Sequence, residues 1–267
     1  MKRFHFIEIE DQTWCPKKIR DGVTDFLQYI VRAFHLYKAI APRLRAAIND
    51  AGQGRVVDLC SGGAGPWLSL LSDLKTQNSD FSDLKVTLSD LYPNNAAFNA
   101  AYCQYPQQLG FSELPVDATK VVAELSGFRT LFSSFHHFKP DSALAVLQSA
   151  VDAKTGIAIF ESTQRHPLML LYMLITPLLV WINTPFIRPF RWDRLFWTYL
   201  IPIIPLIVMF DGVVSCLRTY TVEELEEMVS RLDAPDYCWD IGLEPIGRMP
   251  VGVTYLIGYP GTNKNKV

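Results

Sequence analysis

The stretch that decides the fold reads Arg55-Val56-Val57-Asp58-Leu59-Cys60-Ser61-Gly62-Gly63-Ala64-Gly65-Pro66-Trp67. Its β-branched beginning favours a buried strand, because Val packs well on a pleated surface. The bunched glycines favour a tight turn, since they adopt backbone angles that a Cβ opposes. Pro66 suits the first turn of a helix. The stretch therefore predicts strand, turn and helix, with a ligand site at the carboxyl end of the strand.

Further strands and helices alternate along the chain. The predicted strands run from Lys85 to Asp90, Phe111 to Val116, Arg129 to Phe135 and Gly156 to Phe160, and a helix is predicted from Asp141 to Val151. This alternation is typical of a doubly wound α/β sheet.

The carboxyl-terminal part predicts one more helix and a hairpin. Thr221 and Glu224 have the spacing of a capping box at the start of a helix that ends near Leu232. Strands at about 242–248 and 253–259, with a turn near 249–250, predict an antiparallel hairpin and bring the sheet to seven strands.

These features together resemble the class I S-adenosylmethionine-dependent methyltransferases that act on small molecules. In that family an acid precedes a glycine turn, as Asp58 precedes Gly62 here, although Cys60 and Ala64 stand where glycines are usual. The resemblance implies a Rossmann-like fold and S-adenosyl-L-methionine as cofactor, with Asp90 on the ribose and Asp117 on the adenine. The residues that it implies for cofactor binding are Asp58, Cys60, Ser61, Gly62, Gly63, Asp90, Leu91, Asp117, Ala118 and Ser133.

The amino-terminal residues predict helices ahead of the sheet. Apolar residues recur at helical spacing from Asp21 to about Ile40, and Pro42 begins a shorter helix. The resemblance implies a helical cap over the mouth of the active site, while a helix pair packed on the sheet edge is the plain alternative. The predicted division is a cap at 1–50, a core at 51–166 with 218–267, and an apolar insertion at 167–217.

The insertion has an unusual composition. Neither 168–187 nor 195–210 contains a charged residue, and four prolines interrupt the two runs. About 20 apolar residues can span a bilayer, but proline breaks helices, and three arginines between the runs contradict a translocated loop. We expect 168–210 to touch a membrane from the cytoplasmic side or to close over a lipid-like substrate. A buried lid or a dimer interface is the alternative.

Composition and charge limit the possible partners and compartment. A net charge of -2 without a basic tract argues against nucleic acid. The five cysteines form no C-x-x-C pair, which is typical of free thiols in a reducing compartment. The amino terminus has acids where a signal peptide would be apolar. The prediction is a cytoplasmic protein, either free or peripheral on the cytoplasmic face of a membrane, with no metal site. The sequence does not indicate the oligomeric state.

Two histidines are the candidate catalytic residues. His136 and His137 follow the fourth strand, whose end lies over the cofactor in the resemblance, and imidazole is the side chain that titrates near neutral pH. Glu161 and His166, after the fifth strand, are the next candidates.

Three functions remain open at this point. The first is methyl transfer to O, N or C of a hydrophobic small molecule or lipid. The second is binding of the cofactor without methylation, and the third is a membrane-associated scaffold that uses the fold for packing.

Overall fold

The computed structural model describes residues 1–76, 83–246 and 251–261. The backbone forms two compact units. One unit, called here the sheet unit, comprises Tyr37–Ser162 and Thr221–Val267; the other, the helical unit, comprises Met1–Leu36 and Thr163–Tyr220.

The sheet unit is built on seven strands in the order β3-β2-β1-β4-β5-β7-β6. The first five strands are parallel, and β7 pairs antiparallel with both β5 and β6. The strands are β1 (Arg55–Asp58), β2 (Lys85–Leu88), β3 (Leu109–Phe111), β4 (Phe128–Phe132), β5 (Ile157–Glu161), β6 (Tyr237–Pro245) and β7 (Gly252–Pro260). All residues of β5 are buried, as expected for a central parallel strand.

The helices of the sheet unit connect its strands. They are α2 (Ala41–Asp50), α3 (Trp67–Thr76), α4 (Asn95–Gln104), α5 (Pro140–Asp152) and α9 (Val222–Ser230). Helix α2 contacts α3, and α5 contacts α9. The parallel strands of one sheet share an edge at their carboxyl ends, so the loops after β1, β2, β4 and β5 meet there.

The predicted fold class is confirmed, with corrections to several boundaries. The seven-stranded Rossmann-like sheet and its antiparallel carboxyl-terminal strands are present. The capping box of Thr221 and Glu224 forms with both of its hydrogen bonds. The third strand was placed wrongly, since β3 ends where the prediction began it, and β6 begins five residues earlier than expected. The predicted hairpin turn at 249–250 lies outside the described residues.

The helical unit combines the amino-terminal segment with the apolar insertion. Its helices are α1 (Lys17–Ala33), α6 (Pro167–Asn183), α7 (Trp192–Leu195) and α8 (Ile203–Arg218), and a π-helix (Phe196–Leu200) follows α7. The predicted first helix begins four residues too late, and residues 34–40 do not continue it as an α-helix. The core of this unit joins α1, α6 and α8 through residues that include Val23, Phe26, Val180, Ile204 and Val208.

Residues 1–11 are held along α8 by polar contacts. The Asp211 carboxylate accepts hydrogen bonds from the backbone N–H groups of Ile9 (2.7 Å) and Glu10 (3.0 Å). Seven residues after Asp211, the buried Arg218 guanidinium pairs with the Glu8 carboxylate at 3.1 Å and donates to the Phe6 carbonyl at 2.6 Å. Buried charges are tolerated when they are paired and hydrogen-bonded. The amino-terminal segment is therefore an integral part of the helical unit.

One stretch of this unit is long and apolar enough to cross a membrane. It is Pro167–Phe186, 20 residues with a mean hydropathy of 1.6. The helices Trp192–Leu200 and Ile203–Arg218 together have a similar composition, but a 77° bend separates them.

We predict that Thr221→Ala lowers the free energy of unfolding of the sheet unit by about 1 kcal/mol, because the first turn of α9 loses its side-chain cap. Urea denaturation followed by circular dichroism measures the loss. The matched control is Ser230→Ala at the exposed end of the same helix, which should stay within about 0.5 kcal/mol of the unchanged protein. Equal effects of the two substitutions would contradict the role of the cap.

Candidate functional site

The site is built around Asp58, the last residue of β1. Its side chain is buried, with 1% exposure, and accepts hydrogen bonds from the Ser61 and Thr130 hydroxyls, both at 2.6 Å. Burial raises the pKa of this carboxyl to about 6 and outweighs the opposing effect of the two hydrogen bonds. Asp58 thus ties the glycine turn to β1 and β4 rather than lying open to a ligand.

The turn after Asp58 has the left-handed backbone that its glycines favour. Gly62 and Gly65 have φ values of 52° and 53°. Cys60 and Ala64, which replace the usual glycines, also have positive φ, 56° and 85°. A side chain in this region costs roughly 1–2 kcal/mol. The turn has therefore kept a conformation suited to glycine at two positions where the residue is not glycine.

Asp90 connects the end of β2 to the glycine turn. Its carboxylate accepts hydrogen bonds from the Gly62 N–H and the Tyr92 N–H, both at 2.9 Å, and the residue is half-buried. A Cβ built on Gly62 would meet nothing within 4 Å. Open space therefore lies over the turn, next to a carboxylate that still has acceptor capacity.

Asp117 and Ala118 lie in the loop that follows β3. The backbone N–H of Val116 donates to the Asp90 carbonyl at 2.9 Å, which brings this loop to the end of β2. The Asp117 side chain is exposed and caps Thr119 in an Asx turn. Ala118 is buried and Leu91 is exposed.

The pKa of the Cys60 thiol indicates that the carboxylates at the strand ends lie close together. Its pKa is raised by burial and then by the carboxylates of Asp90, Asp58 and Asp117. Three acids from separate parts of the sequence therefore act on one atom at the carboxyl edge of the sheet.

Ser133 lies at the end of β4 in a cluster of hydroxyl groups. Its Oγ is 2.6 Å from the Tyr37 hydroxyl and 2.7 Å from Ser162 Oγ. Burial raises the pKa of Tyr37 well above its usual value, so this hydroxyl is protonated at neutral pH. Ser133 is thus held in place by neighbours that the sequence did not identify.

His136 is paired with Glu161 across the ends of β4 and β5. His136 Nδ1 lies 2.6 Å from Glu161 Oε2, and both side chains are almost fully buried. Glu161 Oε1 accepts hydrogen bonds from the backbone N–H groups of Phe135 (2.7 Å) and His136 (3.3 Å). The ring of His137 lies beside that of His136, with centroids 4.4 Å apart. Glu161 thus holds the Nδ1 side of the imidazole.

Most of the predicted residues therefore meet at one edge of the sheet. Ser61 and Gly63 are buried in the turn, Gly62 is exposed, and the two histidines follow β4. His166 lies in the helical unit, where its side chain caps α6 by accepting a hydrogen bond from Leu168. The sequence missed Thr130, Ser162 and Tyr37. Tyr37 had been included in a helical apolar pattern, while the alternation of Thr and Ser at the ends of β4 and β5 is too common to single out.

Comparisons with known proteins bear on this geometry. No protein family and no curated protein sequence matches the chain. Solved methyltransferase structures do match its fold. Three of them are 10–14% identical in sequence to this chain.

The plantazolicin methyltransferase in complex with SAH superposes with a TM-score of 0.57 at 10% identity over 94% of each chain. An O-methyltransferase from neocarzinostatin biosynthesis, bound to S-adenosylmethionine and 2-hydroxy-5-methyl naphthoic acid, gives 0.53 at 14% over 91% of this chain. Human N-acetylserotonin methyltransferase in complex with S-adenosylmethionine gives 0.50 at 14% over 92%. This chain spans 58% and 56% of the last two proteins.

The chain thus has the fold of the class I S-adenosylmethionine-dependent methyltransferases. The resemblance predicted from the sequence is confirmed at the level of the fold.

We predict that the free energy of unfolding falls by roughly 1 kcal/mol between about pH 5 and about pH 8 through Asp58 alone. The pKa of Asp58 is about 6 in the folded protein and ordinarily 3.8, so the folded state holds the proton more tightly. This stabilisation is complete below the lower value and is lost as the pH rises through the higher one.

Denaturant titrations across this pH range test the sign. Asp58→Asn should flatten the profile, since an amide does not titrate. The profile should not become level, because burial also raises the pKa of Asp211 in the helical unit to about 6. An unchanged pH dependence in folded Asp58→Asn would contradict the assignment.

Proposed function

We propose that this protein transfers the methyl group of S-adenosylmethionine to a hydroxyl group of an apolar small molecule. The observation that carries the proposal is the buried His136–Glu161 pair, which follows the same sheet edge as the glycine turn and the strand-end acids. The turn and the acids suit the cofactor, and the pair suits removal of a proton from the acceptor.

Three features of the sheet unit support binding of the cofactor. The space over Gly62 is open, and the Asp90 carboxylate can accept hydrogen bonds from the ribose hydroxyls. The buried Ser134 hydroxyl after β4 faces the Cys60 thiol of the glycine turn, so a further polar group lies at this edge. These residues fit a polar nucleoside-type cofactor.

When bound, the cofactor supplies an electrophilic methyl group on a sulfonium. The protein then has to hold the acceptor in line and remove its proton. The Glu161 carboxylate accepts a hydrogen bond from His136 Nδ1–H, which makes Nε2 the basic nitrogen of the ring. His136 is therefore the proposed general base, and Glu161 is a positioning residue that fixes its tautomer.

A hydroxyl acceptor follows from the need for a base. A carbon nucleophile that is already electron-rich does not require an imidazole held by a buried carboxylate. One of the structural neighbours is an O-methyltransferase by name, and its structures contain naphthoic acids. An apolar acceptor also agrees with the two uncharged runs of the insertion, 168–187 and 195–210. A protein that only binds the cofactor would have no use for the histidine pair.

We predict that Asp90→Ala weakens binding of S-adenosylmethionine by roughly 1.5–3 kcal/mol, about 10- to 150-fold, because hydrogen bonds to a charged acceptor are lost. Isothermal titration calorimetry measures the affinity. Asp152→Ala is the matched control, since Asp152 is exposed at the end of α5 and bonds only locally to Gln148. Unchanged affinity in a folded Asp90→Ala protein would exclude Asp90 from the cofactor site.

We predict that His136→Ala lowers kcat by about two to four orders of magnitude while cofactor affinity stays nearly constant. Methyl transfer to a panel of phenolic and hydroxynaphthoic acceptors provides the assay. His137→Ala is the control, and it should retain most of the activity because His137 is not the residue paired with Glu161 at 2.6 Å.

Glu161→Gln tests the tautomer separately from the ring. The amide keeps an oxygen for the backbone N–H groups but presents an N–H group to His136 Nδ1, which favours the wrong tautomer. We expect a loss of kcat similar to that of His136→Ala, with KM little changed. Full activity in both variants would exclude the pair from the mechanism. Unchanged cofactor binding in both variants would still support the proposed cofactor site.

A further inference from the structure

Helix α6 of the helical unit has two unlike faces. Met169, Thr176 and Val180 are buried at helical spacing on one side. The other side is apolar and open to solvent. This exposed α6 face consists of Leu171, Leu174, Ile175, Leu178, Trp181 and Ile182, each at least 46% exposed. Contiguous exposed apolar patches on a soluble chain mark a binding surface.

The exposed surface continues from α6 onto the π-helix. Trp181 Nε1 donates to the Thr198 carbonyl at 3.0 Å, and the Tyr199 hydroxyl donates to the Trp181 carbonyl at 2.5 Å. Trp181 and Tyr199 are both exposed and so lie side by side, next to Leu200 with 72% exposure. The polar atoms of both aromatic side chains are hydrogen-bonded to backbone carbonyls of the protein itself.

The proline in α6 leaves a carbonyl that is satisfied internally. Pro177 has no N–H to donate to the carbonyl of Met173. The Thr176 hydroxyl donates to that carbonyl instead, at 2.7 Å. In water a solvent molecule could fill this role, whereas in hydrocarbon the protein has to supply the donor itself.

The carboxyl end of α6 is satisfied in the same way. The last carbonyls of a helix have no partner within the helix. Of these, the Trp181 carbonyl accepts the Tyr199 hydroxyl. The Val180 carbonyl, which already accepts the Thr184 N–H, also accepts Thr184 Oγ1 at 2.7 Å, and the preceding Leu179 carbonyl accepts Asn183 Nδ2 at 2.8 Å. Side chains of the protein thus supply several hydrogen bonds at the end of this helix.

The segments of the helical unit that pack against α8 carry charged groups. Residues 1–11 lie on α8 through Asp211 and Arg218, and α1 covers the beginning of α8. Two arginines from the α6–α8 connection pair with α1: Arg194 lies 2.5 Å and Arg191 3.5 Å from the Asp25 carboxylate. A spanning α6–α8 hairpin would carry these charges into the bilayer, at a cost of several kcal/mol each by insertion scales.

The same ion pairs limit the role of two arginines at a membrane. Arginines beside an apolar segment can bind anionic head groups. Arg191 and Arg194 are instead engaged with Asp21, Asp25 and Asp193. Apolar side chains are therefore expected to supply most of the attraction of this unit for a bilayer.

We propose that the exposed α6 face inserts into the outer part of a lipid leaflet and holds the protein on a membrane without spanning it. A protein partner normally exchanges hydrogen bonds across its interface, about one per 100–200 Å². The polar atoms of Trp181 and Tyr199 at the exposed α6 face are already hydrogen-bonded within the protein. The face therefore suits acyl chains, which form no hydrogen bonds. The charged groups of the unit, such as Arg194 paired with Asp25, oppose entry of the whole unit into the bilayer together with this face.

Flotation of the purified full-length protein with vesicles tests this proposal. One set of vesicles is phosphatidylcholine alone, and the other contains phosphatidylglycerol in addition. We expect binding to both sets, with a partition coefficient that changes less than about threefold between low and high salt, because charge pairs contribute little. Bound protein should also transfer to a second vesicle population, which a spanning hairpin would not do.

The double variant Leu174→Gln/Leu178→Gln should lower the partition coefficient at least about 100-fold, because each Leu that enters the bilayer removes apolar surface from water. Gln is chosen because it retains helix propensity. The matched control is Leu114→Gln/Leu243→Gln, two exposed leucines of the sheet unit, which should bind as the unchanged protein does. Circular dichroism verifies the helix content of both.

Several outcomes would overturn the proposal. These are equal flotation of the two double variants, the absence of flotation in the unchanged protein, and binding to anionic vesicles alone that salt abolishes. A dimer that dissociates in the α6 variant, with no vesicle binding, would show that a second copy covers this face. None of these results depends on methyl transfer. A negative result for membrane binding would therefore not count against the proposed methyltransferase activity.

Discussion

The buried carboxylate of Asp58 is the constraint on which the sheet edge depends. It ends β1, and it accepts hydrogen bonds from Ser61 in the glycine turn and from Thr130 in β4. Removing a carboxylate from water is costly, and the raised pKa measures that cost. The turn gains a fixed shape in return, with its left-handed residues held where Gly62 stays open to solvent. Asp90 can then reach the Gly62 N–H from the neighbouring strand.

The acids at the carboxyl edge of the sheet have two different roles. Asp58 and Glu161 are buried and act on protein groups, a turn in one case and an imidazole in the other. Asp90 and Asp117 are accessible and bond mainly to local backbone N–H groups. Residues that shape the site and residues that can meet a ligand therefore carry the same functional group, and burial alone separates them.

The sequence predicted local structure where the information was local. The glycine turn and the Thr221 capping box each need only a few consecutive residues, and both are present. Asp90 follows β2 by two residues. The His136–Glu161 pair joins positions 25 residues apart and depends on the register of β4 against β5, which no pattern in one strand specifies. The packing of residues 1–36 with the insertion was missed for the same reason, since it depends on contacts between distant segments.

The half-buried Cys60 has a consequence for thiol chemistry. Only the thiolate attacks alkylating reagents, and the raised pKa keeps Cys60 protonated at neutral pH. Cys103 is exposed on α4 and carries no such protection. Iodoacetamide or a maleimide dye should consequently modify Cys103 first, which offers a position for a fluorophore on the sheet unit while the glycine turn stays chemically intact.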